Sequence, residues 1–178
     1  MPSPIAHSTT AYFIFKLTSL NSRSTLLGRH RWQDLAYIIL IGNVADLDFI
    51  PQLLLEGKFH RGPSHSLSLA FLISFSVAII CYAFNKPQVK QLFLITLGIY
   101  TSHLFLDYWT AGGAGMKLFW PFTNSYFMSS VSFFPSVRHS EGLFYSGHII
   151  FIVFETIYSF FLMTILNIIF KSRRNKIT

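Results

Sequence analysis

The chain has 178 residues, of which 52% are hydrophobic and only 12% charged, with a formal net charge of +7. Soluble domains carry about 25% charged residues, so a water-covered globule is excluded and lipid is the solvent that this composition calls for. The basic excess does not point to nucleic acid, because no basic face interleaved with aromatics is visible.

A helix needs roughly 20 apolar residues to cross the hydrocarbon layer. Residues 67–84, 91–109 and 148–170 meet or approach that length, and residues 4–20 and 35–50 are shorter and more polar. The expectation is an all-α fold: a single membrane-embedded domain over residues 1–178, a polytopic bundle of about five helices. The first stretch, Met1 to Phe15, has no basic residue ahead of its apolar part. It therefore reads as a retained helix rather than a cleaved signal. Pro51 is expected to end the second helix, since the residue before a proline leaves helical geometry. Gly62-Pro63-Ser64 breaks the chain, and Ser64 is expected to cap the third helix. Cys81, the single cysteine, lies in an apolar run and reads as a small core hydrophobe. A long loop rich in aromatics, up to Gly147, precedes the last helix and is expected at the membrane interface.

Charge sets the orientation. With the C-terminal tail inside, five alternating spans place nine Lys and Arg inside and four outside (Lys58, Arg61, Lys117, Arg138). An excess of basic residues on the cytoplasmic side is the usual bias. The C-terminus is thus expected in the cytoplasm.

Seven residues then fall at the opposite, extracytoplasmic face: His7, Asp46, Asp48, His60, His65, His103 and Asp107. Ionisable groups in or beside spanning segments are costly and mark functional candidates. His103 and Asp107 are four apart and share a helix face, which suits two ligands of one ion or a His–Asp hydrogen bond. Asp46 and Asp48 are two apart and diverge on a regular helix, so they can face one ion only where the helix unwinds. His60 and His65 flank a turn with Arg61, whose planar fork matches phosphate oxygens. Arg61 and His65 are the catalytic candidates, and the seven His and Asp residues the metal candidates. Mixed imidazole and carboxylate ligands suit zinc, manganese or iron. Seven are more than one tetrahedral ion needs, so two ions are reasonable. Arg138, His139, Glu141 and His148 could complete the site or bind a headgroup, and Glu155 has no evident partner in the last helix.

At these residues the sequence resembles the LexA-binding, inner-membrane-associated metal-dependent hydrolases of bacteria. The resemblance rests on Pro4-Ile5-Ala6-His7, Ala45-Asp46-Leu47-Asp48, the string from His60 to Ser66, the segment from His103 to Thr110, and Leu118-Phe119-Trp120-Pro121-Phe122. It implies a multi-helix protein of the bacterial inner membrane with a metal site. The leading expectation is a membrane-bound, metal-dependent hydrolase acting on a phosphoester or similar bond. Its partners would be membrane lipid and a small-molecule or lipid substrate. A non-catalytic metal-binding membrane protein is the alternative. An ion transporter is less favoured, since the polar residues gather at one face. No Gly-x-Ser-x-Gly elbow is present, which disfavours a serine hydrolase.

Overall fold

A computed structural model describes residues 2–18, 26–27, 30–54, 60–84, 88–111, 115–135 and 147–175, without the side chains of 52–54, 147 and 148. Among these residues the chain forms α-helices and 3-10 turns, and the only β features are isolated bridges. The helices are α1 (Pro4–Thr18), α2 (Arg31–Asn43), α3 (Phe49–Leu54), α4 (Leu67–Ala83), α5 (Val89–Tyr108) and α6 (Gly147–Arg174). Two 3-10 turns, Val44–Asp48 and Pro63–His65, interrupt them.

The five long helices match the expected ones, with shifted ends. The largest shift is in the second. α2 stops at Asn43, and the chain tightens into the 3-10 turn before α3 begins at Phe49. Pro51 therefore does not end the second helix. It sits in the first turn of α3, where a proline loses no intrahelical hydrogen bond. Ser64 does not cap the third helix either: the cap is Ser66, whose hydroxyl accepts from Leu69 N at 3.2 Å.

α1, α2, α4 and α5 pack around two connected cores. One joins Ala11, Ile38, Ile41, Cys81, Leu92, Ile95 and Ile99. The other joins Ala45, Ala70, Tyr100, Leu104 and Met116, closer to the 3-10 turns. Cys81 is buried in the first, as expected of a small hydrophobe. α1 and α2 cross closely because Gly42 lacks a side chain. A Cβ there would lie 3.0 Å from Ala11 Cβ and 3.4 Å from the His7 carbonyl oxygen.

α6 packs on α1. Its seam is polar: Tyr158 hydroxyl pairs with Thr10 Oγ1 at 2.8 Å, and Ser159 Oγ donates to Thr9 Oγ1 at 3.2 Å. Glu155 is buried there and accepts from both the backbone N–H and the hydroxyl of Ser3, just ahead of α1. That supplies the partner the sequence did not reveal. A carboxylate at a helix start also meets the positive end of the helix dipole.

Much of the remaining surface is apolar. Phe71, Leu72, Phe75, Ile79 and Ile80 on α4, and Ile150, Ile157, Phe160 and Phe161 on α6, are all exposed. The segments Val89–Tyr108 and Ile149–Arg174 are long and apolar enough to cross a membrane, and Leu67–Ala83 is apolar but shorter.

Candidate metal centre

The site forms where alternate helix ends meet. α1 contributes His7 from its first turns, and α5 contributes His103 and Asp107 from its last. The 3-10 turn after α2 carries Asp46 and Asp48, and the turn before α4 carries His65. The tighter 3-10 winding answers the spacing problem posed by two aspartates two residues apart. Each carboxylate reaches a different part of one cluster.

Asp46, His65, His103 and Asp107 each offer a ligand atom, and these atoms all lie within 4.8 Å of one another. His65 Nε2 and His103 Nε2 are 3.4 Å apart, and each is 3.5 Å from Asp46 Oδ1. Asp107 Oδ2 is 3.1 Å from His65 Nε2 and 3.9 Å from His103 Nε2. Four ligands about 2.1 Å from a tetrahedral ion stand roughly 3.4 Å apart. The observed separations bracket that value.

Hydrogen bonding fixes what these atoms can do. His103 Nδ1 donates to the Gly42 carbonyl at 2.8 Å. His65 Nδ1 donates to Ser64 Oγ at 3.0 Å and lies 3.2 Å from Asp48 Oδ2. With Nδ1 engaged on both rings, both Nε2 atoms face the cluster, where loss of the His65 proton frees them as ligands. This is how outer partners orient metal-binding histidines. The Asp46 and Asp107 carboxylates, although buried among imidazoles, receive no hydrogen bond at any of their four oxygens. His65 Nε2 and Asp107 Oδ2, 3.1 Å apart, make an ion-pair contact. Buried polar atoms without hydrogen bonds are rare in folded proteins. Converging carboxylates and imidazoles at this spacing can hold a metal ion.

Asp48 is different. It accepts from His60 Nδ1 at 2.8 Å, from the Arg61 backbone N–H at 3.0 Å and from the Ser64 hydroxyl, with His65 Nδ1 beside it. Asp48, His60 and His65 form a second group with metal-compatible spacing. Within it, the carboxylate is already engaged by protein donors. Outside the helices, protonation follows these contacts. Burial would raise the Asp48 carboxyl, but hydrogen bonds from His60, His65 and Ser64 hold it below the usual carboxylate range. Burial would lower the His65 imidazole, yet Asp107, Asp46 and Asp48 raise it well above its ordinary value.

Arg61 adopts a left-handed backbone, with φ of 62°, a conformation that costs a non-glycine residue about 1–3 kcal/mol. Its N–H to Asp48 and its carbonyl, which accepts from Lys117 N at 3.1 Å, hold it there. Its guanidinium Nε lies 3.7 Å from Asp107 Oδ2. His7 is buried and stacks on His103 with ring centroids 3.8 Å apart.

All seven His and Asp candidates, with Arg61, are thus within one cluster. Arg138, His139 and Glu141 lie outside the described residues, as does the side chain of His148. Sequence reasoning missed the Gly42 carbonyl, since a backbone acceptor leaves no mark on residue type. It also missed Ser64 as an orienting group; the signal available was its place between His60 and His65.

Compared with known proteins, residues 1–176 match the model of a family described as YdjM inner membrane protein. No curated protein and no solved structure matches the chain.

Proposed function

Since the chain belongs to the YdjM inner membrane protein family, we propose that it is a multi-pass, metal-dependent hydrolase of the bacterial inner membrane. The site lies at the extracytoplasmic face and the C-terminus in the cytoplasm. The substrate is a phosphoester or similar bond in a lipid or amphipathic molecule. The observation that carries this reading is the convergence of Asp46, His65, His103 and Asp107, whose four carboxylate oxygens have no hydrogen bond, with the Arg61 guanidinium beside it.

In this reading those four residues hold a divalent ion, zinc or manganese. When bound, the ion supplies Lewis-acid chemistry: it makes water nucleophilic near neutral pH and offsets charge on the leaving oxygen. The chain's own residues do the rest. Arg61 orients the anionic group of the substrate through its planar fork. Asp48 and Ser64 hold His65 in one tautomer, and the Gly42 carbonyl holds His103 in the same one. His60, steadied by Asp48 and partly open to solvent, carries protons to or from the site. His65 serves as a ligand rather than as a free base, because both its nitrogens are committed. The exposed Phe122, Tyr126 and Phe133 of the segment after α5 suit a membrane interface, where aromatic rings concentrate. They favour a substrate drawn from the bilayer.

A second reading is a non-catalytic metal-binding protein. It is favoured by the number of ligands: four protein groups around one ion close its shell, as structural sites do.

Metal analysis of the purified full-length protein, followed by assay on a phospholipid panel, separates the two. Catalysis predicts a stoichiometric ion and chelator-sensitive hydrolysis that His65→Ala lacks. Bound metal without hydrolysis supports the structural role. No stoichiometric ion in the wild type would sink both.

A further inference from the structure

The two central carboxylates face two ways. Asp46 Oδ1 looks toward His65 and His103, each 3.5 Å away, while Asp46 Oδ2 lies 4.0 Å from His7 Nε2. Asp107 repeats the pattern: Oδ2 approaches His65 at 3.1 Å and Oδ1 lies 3.7 Å from His7 Nε2. One oxygen of each carboxylate therefore serves the four-residue cage, and the other serves His7.

His7 brings a buried imidazole to that side. Its ring is buried, and neither nitrogen has a hydrogen-bond partner. Stacked on His103, it lies beside the first set and faces the carboxylate edges that the first set does not use. The separations of 3.7 and 4.0 Å exceed a hydrogen bond. They are still within twice a metal–ligand bond of about 2.1 Å.

We infer that His7, Asp46 Oδ2 and Asp107 Oδ1 form a second divalent-metal position, with both carboxylates bridging the two ions. This inference rests on the single-ion reading above and extends it. It also resolves a difficulty there. The first position has four protein ligands, which closes a tetrahedral shell. The second has three, and a three-ligand position keeps the open coordination site that catalysis requires. Paired ions about 4 Å apart, sharing bridging ligands, are a common arrangement for phosphoester cleavage. The division of labour is then structural for the first ion and reactive for the second.

The test uses full-length protein in detergent, stripped by chelator and reloaded with manganese(II) alone. Stoichiometry is measured by elemental analysis and spin coupling by electron paramagnetic resonance. The expected wild type holds two manganese ions per chain with an exchange-coupled spectrum. His7→Ala is expected to hold one, with the spectrum of an isolated ion. His7→Gln, which keeps the side-chain bulk, is expected to do the same and guards against a folding defect. One isolated ion in the wild type overturns the second position and leaves the first standing. No bound ion overturns both. Two coupled ions retained in folded His7→Ala overturn the assignment to His7.

Discussion

Asp46 and Asp48 are two residues apart on one 3-10 turn, yet their carboxylates live in opposite surroundings. Asp48 is met by donors from His60, Arg61 and Ser64, with His65 beside it. Asp46 is met by none. A carboxylate surrounded by donors is finished: its charge is spent on holding other groups in place. A buried carboxylate with no hydrogen bond is unfinished, and its burial is tolerable only with a positive charge beside it. The same residue type thus builds the scaffold at one position and the binding cage at the next but one.

The largest effect should come from removing a carboxylate of the cage. Asp107→Asn keeps the size but gives up the charge and the bridging geometry. It should abolish stoichiometric metal binding, read by elemental analysis of the purified variant; full occupancy would erase the contrast with Asp48. Asp48→Asn should leave the cage in place but loosen His65 and His60. Outer partners of this kind are worth about 10–100-fold in metal affinity, so a competition titration should show binding that is weakened rather than lost. Affinity should also rise with pH. The carboxylates raise the His65 pKa above its ordinary 6.5, so a proton occupies the cage at low pH and must leave as metal enters. A flat profile between pH 6 and 8 would show that no proton competes. In the metal-free protein the same shift stabilises the fold below pH 6.5, and that contribution is lost as pH rises through the raised value.

Two smaller effects probe the supports. Gly42→Ala places a methyl group against Ala11 and the His7 carbonyl. Overpacking of this kind costs about 1–3 kcal/mol and should lower the melting temperature while shifting α1 away from the cage. Ser64→Ala removes one donor among several around Asp48. A single hydrogen bond is worth about 1 kcal/mol, so a modest drop in stability with metal still bound is expected.

The third, fourth and fifth expected helices were legible because their apolar runs are long; the first two showed as shorter, more polar runs. The unwinding at Val44–Asp48 was legible only as a need, since two acids two apart cannot share a target on a regular helix. Pro51 misled as to its place: a proline marks a helix boundary, but it sits as readily in a first turn as beyond a last one. Ser64 and Ser66 could each cap a helix by residue type alone, and the 3-10 turn at Pro63 chose Ser66. The candidate residues could be collected from sequence because charge in an apolar chain is conspicuous. Their division into donor-rich Asp48 and donor-free Asp46 could not. It depends on which hydrogen points where, and spacing carries no record of that.

The bond from Ser3 to Glu155 joins positions 152 apart in the chain. During synthesis the ribosome releases His7 long before it makes the residue that anchors the start of α1. The first helix also packs on α2 and α5. Glu155 thus ties the last helix to the start of the helix that carries the first imidazole.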